Sequence, residues 1–130
     1  MREILFRAKR QNGEWREGSL LFYPDVNRAF ISSGDYSSIG GIVEVDKKTV
    51  GQYTGLTDKN GKRIFEGDIL DTTNSNSRIW YVDYKKTAFC CNQGNANYSC
   101  ELDDFMRYSD VEVIGSIHDN PELLEVSGDG

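Results

Sequence analysis

The sequence has little of what catalytic, metal-binding and membrane-spanning proteins usually need. It contains one histidine and three cysteines in 130 residues, and it has no run of about 18 apolar residues that would cross a bilayer. The first residues carry charge at Arg2, Glu3 and Arg7, where a signal peptide would have an uninterrupted apolar core. We therefore expect a soluble, cytoplasmic protein that does not contact a membrane.

The few cysteines and the single histidine do not form a recognisable reactive site. Cys90, Cys91 and Cys100 cannot all pair within one chain, and adjacent cysteines are poorly suited to a structural bridge, so we predict reduced thiols that are buried or half-buried. Together with His118 they would total four zinc ligands, but the usual two-residue spacing is absent. His118 is also the only conventional general base, no nucleophile elbow accompanies it, and a hydrogen-bonding role is favoured. We predict that the protein is not an enzyme and that it binds no cofactor and no metal.

Basic side chains are too few for a general polyanion binder, because the formal net charge is -6. The charge is uneven: residues 1–16 hold five basic and two acidic side chains, a net +3, whereas residues 101–130 hold one and nine, a net -8. This asymmetry indicates attraction between the two ends, within a chain or between subunits, or an acidic partner-binding surface at the carboxyl end. The candidates for protein contact are Glu101, Asp103, Asp104 and Asp110.

The chain does contain many aromatic residues (12%) and thirteen glycines. This mixture favours strands and turns. Asn12-Gly13 predicts a hairpin, Ile79 to Tyr84 and Ala88 to Cys90 predict another, and Asp103 to Met106 predicts one helical turn. Asn120 is expected to cap a second helical turn that begins at Pro121. Short strands at roughly ten-residue intervals indicate an all-β, mainly antiparallel fold.

The expected organisation is a single domain over residues 1–130. Residues 1–50 are predicted to form a β-hairpin or cap, residues 51–124 a small, partly open SH3-like β-barrel, and residues 125–130 a flexible tail.

The most informative stretch, residues 52–71, is predicted to contain two tight turns. Asn60-Gly61 supplies left-handed backbone, so that Ile64 and Phe65 turn back toward a core, and Glu66-Gly67-Asp68 forms the second turn. A calcium-binding EF-hand is excluded, because its first and last ligand positions would fall on Leu56 and Gly67. A phosphate-binding loop is also excluded: five residues rather than four separate the glycines, and Arg63 replaces the required Ser or Thr.

Two further kinds of site remain as weaker alternatives. The carboxylate pairs Asp68 with Asp71 and Asp103 with Asp104 would suit a divalent metal, although solvated turn charges are favoured. The second alternative is a basic and aromatic strand face that binds single-stranded nucleic acid, which the acidic net charge disfavours. Its candidate residues are Arg78, Trp80, Tyr84, Lys85 and Lys86, beside Phe89.

The stretch from Gln52 to Ile69 resembles the signature of the YopX protein family. Arg2 to Ala8 with Trp15 and Gly18, and Val113 to Leu124, resemble that family's two ends. The residues that carry the resemblance are Gly55, Leu56, Asp58, Asn60, Gly61, Phe65, Glu66, Gly67, Asp68, Gly115, Asn120 and Pro121.

This resemblance implies a small, mainly β protein encoded by bacteriophages and prophages, and it transfers no catalytic residue. We expect an accessory protein in the bacterial host cell that works through contact with other proteins. The expected partners are further copies of itself and a phage or host protein.

Overall fold

The structure, a computed structural model, describes residues 4–33, 41–72, 79–85, 88–93 and 99–124. The strands are β1 (Phe6–Lys9), β2 (Trp15–Tyr23), β3 (Arg28–Ser32), β4 (Ile42–Val45), β5 (Gly51–Thr57), β6 (Arg63–Phe65), β7 (Asp68–Thr72), β8 (Ile79–Lys85), β9 (Ala88–Gln93), β10 (Ser99–Glu101) and β11 (Val111–Ser116). A 3₁₀ turn spans Lys47–Thr49, and one α-helix, α1, spans Leu102–Tyr108.

The described strands form two sheets, which confirms the all-β, mainly antiparallel prediction. The six-stranded order is β4-β3-β2-β1-β5-β6 and the five-stranded order is β10-β9-β8-β7-β11. Neither sheet closes into a barrel, which corrects the SH3-like barrel expected for residues 51–124. The five-stranded order ends in β10 at one side and β11 at the other, and these two strands pair only with β9 and β7 among the described residues.

The chain divides into two compact units, Met1–Gly55 and Leu56–Gly130. In the first unit, alternation along the strands builds the core. In β4, for example, Val43 and Val45 are buried whereas Ile42 and Glu44 are exposed, as expected for a strand with one covered face. The core residues of this unit are Ala8, Ala29, Ile31, Val43 and Val45, with Phe6, Leu20 and Val50 packed against them.

The second unit has its own apolar core on one face of the five-stranded sheet. Helix α1 contributes Leu102, which is fully buried, and its Phe105 and Met106 pack against the cluster. The buried members are Ile64, Leu70, Trp80, Val82, Cys91, Leu102 and Val111.

Most of the local sequence predictions agree with this structure. Asn12-Gly13 connects β1 to β2 in antiparallel register, and Gly13 has a φ of +88°, as the turn requires. Strands β8 and β9 form the second predicted hairpin, and α1 contains the predicted helical turn. Residues 125–130, predicted as a tail, lie outside the described residues.

Candidate contact surfaces

The carboxylate of Asp58 is the buried centre of the first turn in the 52–71 stretch. Asp58 is only 6% exposed. Oδ1 accepts hydrogen bonds from the backbone N–H groups of Asn60 and Lys62, both at 2.9 Å. Oδ2 accepts a third, at 3.0 Å, from the N–H of Val113 in β11. One carboxylate therefore both closes the turn and joins it to a strand 55 residues away.

Backbone bonds complete this turn. The N–H of Asp58 donates to the carbonyl of Lys62 at 2.8 Å, and that of Gly61 donates to the carbonyl of Asp58 at 3.0 Å. The N–H of Lys59 donates to the carbonyl of Val111 at 3.0 Å. Gly61 has a φ of +82°, which confirms the predicted left-handed backbone.

The surroundings of Asp58 favour its ionised form. Burial raises the pKa of the carboxyl group, but the N–H donors of Val113, Lys62 and Asn60 and the positive charge of Lys62 act in the opposite direction. The balance lowers the pKa below its ordinary value, because hydrogen bonds to a carboxylate favour the charged form.

The second turn of the stretch is tied to the sheet in a similar way. Asp68 is buried, and its Oδ2 accepts from the N–H of Phe65 at 2.7 Å, so it is not the solvated turn charge that the sequence favoured. Gly67, with a φ of +92°, donates to the carbonyl of Val82 and accepts from the N–H of Ile117, each at 2.8 Å. In both turns, the carboxylates therefore accept hydrogen bonds from backbone N–H groups of the fold.

The carboxyl-terminal family segment is organised around Ser116 and Asn120. The N–H of Asn120 donates to the Ser116 carbonyl at 2.7 Å, and Asn120 Oδ1 accepts from the Ser116 N–H at 3.2 Å. Ser116 Oγ accepts from the N–H groups of His118 and Asp119. The expected helix cap is therefore corrected: the side chain of Asn120 bonds back to Ser116, while its backbone carbonyl accepts from Leu123 at 3.1 Å.

Replacing Gly115 with alanine is expected to cost about 1–3 kcal/mol of unfolding free energy. A Cβ at this position would lie 2.5 Å from Asn120 Oδ1 and 3.1 Å from Asn120 Cβ, so the Ser116–Asn120 bonds would have to distort. Urea denaturation of Gly115→Ala, Asn120→Gly and the double variant measures the coupling. The alanine should cost clearly less in the Asn120→Gly background, and equal costs in both backgrounds would contradict this explanation.

The nucleic-acid candidates do not form the expected stacking surface. Trp80 is 5% exposed and packs in the core, with its ring centroid 4.6 Å from that of Phe105, which corrects its assignment as a stacking residue. Tyr84 is 49% exposed and lies edge-on to Phe89 at 5.0 Å. Arg78, Lys86 and the side chain of Lys85 lie outside the described residues. A stacking platform needs open aromatic faces, and burial removes the ring of Trp80 from it.

The four acidic candidates are placed around one short helix. Asp103 and Asp104 are exposed in the first turn of α1, where they lie 3.8 Å and 3.7 Å from the Arg107 guanidinium. Exposed Glu101 precedes the helix and exposed Asp110 follows it. Exposed ion pairs of this kind add little stability. Because four exposed carboxylates accompany only one guanidinium, the helix and the residues beside it present a mainly acidic surface.

The end of the β2–β3 hairpin, which we call the hairpin tip, carries three exposed apolar side chains that were not expected from the sequence. They are Phe22, Tyr23 and Val26, which are 49%, 52% and 61% exposed. Phe22 and Tyr23 are successive residues of β2 and lie on opposite faces of it. The ring of Tyr23 is held edge-on to Phe30 at 5.6 Å. The signal in the sequence is that Phe22, Tyr23 and Val26 lie directly beside Pro24-Asp25. Side chains next to a turn at the end of a hairpin have few neighbouring residues to cover them.

The described residues offer no assembled metal site, and their three cysteines are buried or half-buried. No group of three or more His, Cys, Asp or Glu side chains that could hold a metal ion is found among the described residues. Cys90 and Cys91 are buried and Cys100 is half-buried, which confirms the predicted burial, and their reduced state stays a prediction. His118 is half-buried. No described helix is long and apolar enough to cross a membrane.

Comparison with known proteins places this architecture in a family. The chain is similar to a solved structure described as protein EF1440 from Enterococcus faecalis, with 29% sequence identity and a TM-score of 0.59, over 95% of this chain and 99% of that one. A search of the curated proteins gave no match. Residues 5–125, nearly the whole chain, match the family described as YopX protein. The chain therefore belongs to the YopX protein family.

Proposed function

We propose that this protein is a phage or prophage accessory protein that works through protein–protein contact, as a homo-oligomer in the cytoplasm of the bacterial host, and catalyses no reaction. The hairpin tip is the observation that carries the proposal. Exposed large apolar side chains that gather at one end of an element are candidates for contact with a partner. Here two aromatic residues on opposite faces of β2 and one aliphatic residue in the following turn lie within five positions of each other at the end of one hairpin.

The hairpin tip has the side chains that usually dominate the energy of a contact. Tyrosine and other aromatic residues are enriched at the buried centres of interfaces, because they bury a large area and lose little conformational freedom. Tyr23 already has its ring oriented by Phe30, which reduces the ordering cost of binding.

The acidic surface around α1 has a different part in this proposal. Its carboxylates are exposed and only partly neutralised by Arg107, so they contribute little to the stability of the fold. Charged side chains at the rim of an interface mainly set the association rate and the choice of partner. We assign Glu101, Asp103, Asp104 and Asp110 to selecting a partner with a basic surface.

A pair of matched double variants tests the hairpin tip. Tyr23→Ser with Val26→Ser is expected to raise the dissociation constant of the homo-oligomer at least about tenfold, or 1.4 kcal/mol, measured by sedimentation velocity over a concentration series. The control, Tyr84→Ser with Ile4→Ser, also removes one tyrosine and one aliphatic side chain, at positions 49% and 68% exposed. It should leave the association unchanged. An equal effect of both pairs would contradict a specific role of the hairpin tip.

Capture from an infected or lysogenic host tests the remaining part of the proposal. A partner should be recovered with the wild-type chain and lost with the hairpin-tip variant but not with the control pair. A chain that is monomeric at every concentration and recovers no partner would refute function by protein contact.

A further inference from the structure

The three thiols have different surroundings that the order of the residues does not reveal. Cys91 and Cys100 are direct partners in the antiparallel register of β9 and β10, and their Sγ atoms are 3.4 Å apart. Cys90 is adjacent in sequence, but successive side chains of a strand point to opposite faces. Its register partners are Asp83 and Glu101, so Cys90 lies on the other face of the sheet from the Cys91–Cys100 pair.

We propose that Cys91 and Cys100 are an oxidisable dithiol, the site of a reversible cross-strand disulfide that low-molecular-weight disulfides form. Directly opposed residues in an antiparallel pair have Cα atoms about 4.5–5.5 Å apart, which lies inside the range that disulfides span. The two sulfurs therefore need to approach only from 3.4 Å to about 2.05 Å. Local adjustment of the side chains of a short edge strand is sufficient for this.

The environment of each thiol indicates the order of the steps. Cys100 is half-buried, whereas Cys91 is fully buried and its Sγ lies 3.6 Å from the Cys100 carbonyl oxygen. Burial raises the pKa of the Cys91 thiol well above its ordinary value, and the neighbouring Cys100 raises it further. Since the thiolate is the nucleophile, Cys100 reacts with the external disulfide first.

The chemistry is thiol–disulfide exchange in two steps, with oxidised glutathione as the example of the oxidant. The Cys100 thiolate attacks one sulfur of the oxidised glutathione, a mixed disulfide forms, and one glutathione thiolate leaves. The Cys91 sulfur then attacks the sulfur of Cys100, the second glutathione thiolate leaves, and the proton of Cys91 passes to that departing thiolate. Two protein thiols are oxidised to one disulfide, and one glutathione disulfide is reduced to two thiols.

The disulfide would link the edge strand β10 covalently to the neighbouring strand β9. β10 has three residues, stands at the end of the strand order and leads directly into α1. Closing a loop of about ten residues constrains the unfolded chain. The oxidised protein is therefore expected to melt on the order of 5 °C higher than the reduced protein.

The test is oxidation of the full-length, folded protein with oxidised glutathione, followed by intact mass measurement and non-reducing peptide mapping. The expected product is a chain lighter by about 2 Da with no glutathione adduct. Chymotrypsin cleaves after Phe89 and Tyr98 and so separates Cys90 and Cys91 from Cys100. Cys90→Ser should give the same bridged peptide, and this assigns the bridge to Cys91.

One variant, Cys91→Ser, distinguishes the proposed pair from incidental oxidation. In Cys91→Ser the reaction should stop at the mixed disulfide on Cys100, a gain of about 305 Da, and reduction should reverse it. A wild-type protein that stays fully reduced, or that carries only glutathione adducts, would overturn the proposal. So would an internal bridge that forms in Cys91→Ser as readily as in the wild type, and this comparison needs no variant that lacks Cys100.

Discussion

Replacing Asp58 with alanine is expected to cost about 3–5 kcal/mol of unfolding free energy, measured by urea denaturation. The change leaves three backbone N–H groups, those of Asn60, Lys62 and half-buried Val113, without the buried carboxylate that accepts from them. A hydrogen bond to a charged group contributes about 1.5–3 kcal/mol, and the three contributions are not additive.

The exposed turn residue Asp25 provides the matched control. Asp25→Ala should change the unfolding free energy by less than about 0.5 kcal/mol. Similar losses at Asp25 and Asp58 would mean that the buried carboxylate has no special role in the fold.

The contribution of Asp58 also depends on pH in a defined direction. Its folded-state pKa is lowered, whereas the unfolded chain has the ordinary value of about 3.9. The stabilisation by ionised Asp58 is therefore complete above about pH 4 and is lost as the pH falls through the lower, folded-state pKa. The difference in unfolding free energy between wild type and Asp58→Asn should be largest near neutral pH and shrink in acid. Parallel curves between pH 3 and pH 7 would contradict this assignment.

Gly18→Ala is the second change with a large expected effect, about 3 kcal/mol or more of unfolding free energy. A Cβ on Gly18 would lie 2.0 Å from the Ser32 carbonyl oxygen and 2.8 Å from its carbon. Both atoms belong to the backbone of β3, so the contact is relieved only if β2 and β3 separate. The prediction is checked by thermal and urea unfolding, and failure to accumulate as a folded protein is the extreme form of the same result.

The neighbouring position supplies the control for this change. Ser19 is exposed and pairs with Ser32 in the same register, so Ser19→Ala should have an effect below about 0.5 kcal/mol. A Gly18→Ala protein with an unchanged unfolding midpoint would show that β2 and β3 do not approach as closely as described.

The features that the sequence predicted correctly depend on neighbouring residues. The Asn12-Gly13 hairpin and the left-handed Gly61 follow from turn chemistry, which acts over about four residues. Alternation likewise predicted that Trp80 and Tyr84 share a strand face, but it did not say which face is covered. Helix α1 packs on that face, and this buries Trp80.

The features that the sequence did not predict come from residues far apart in the chain. Asp58 meets Val113 across 55 positions, and the register that opposes Cys91 to Cys100 is set by the pairing of β9 with β10. At Asn120 a local rule gave the wrong partner, because the cap position is also within reach of Ser116. A side chain with two available backbone partners cannot be assigned from spacing alone.

The sedimentation behaviour of the wild-type protein tests most directly whether this YopX protein works through contact between copies. Over a dilution series at neutral pH, we expect a mass that is a multiple of the 14.7 kDa chain and that falls toward the mass of a single chain on dilution. A mass of one chain at every concentration would contradict assembly into a homo-oligomer.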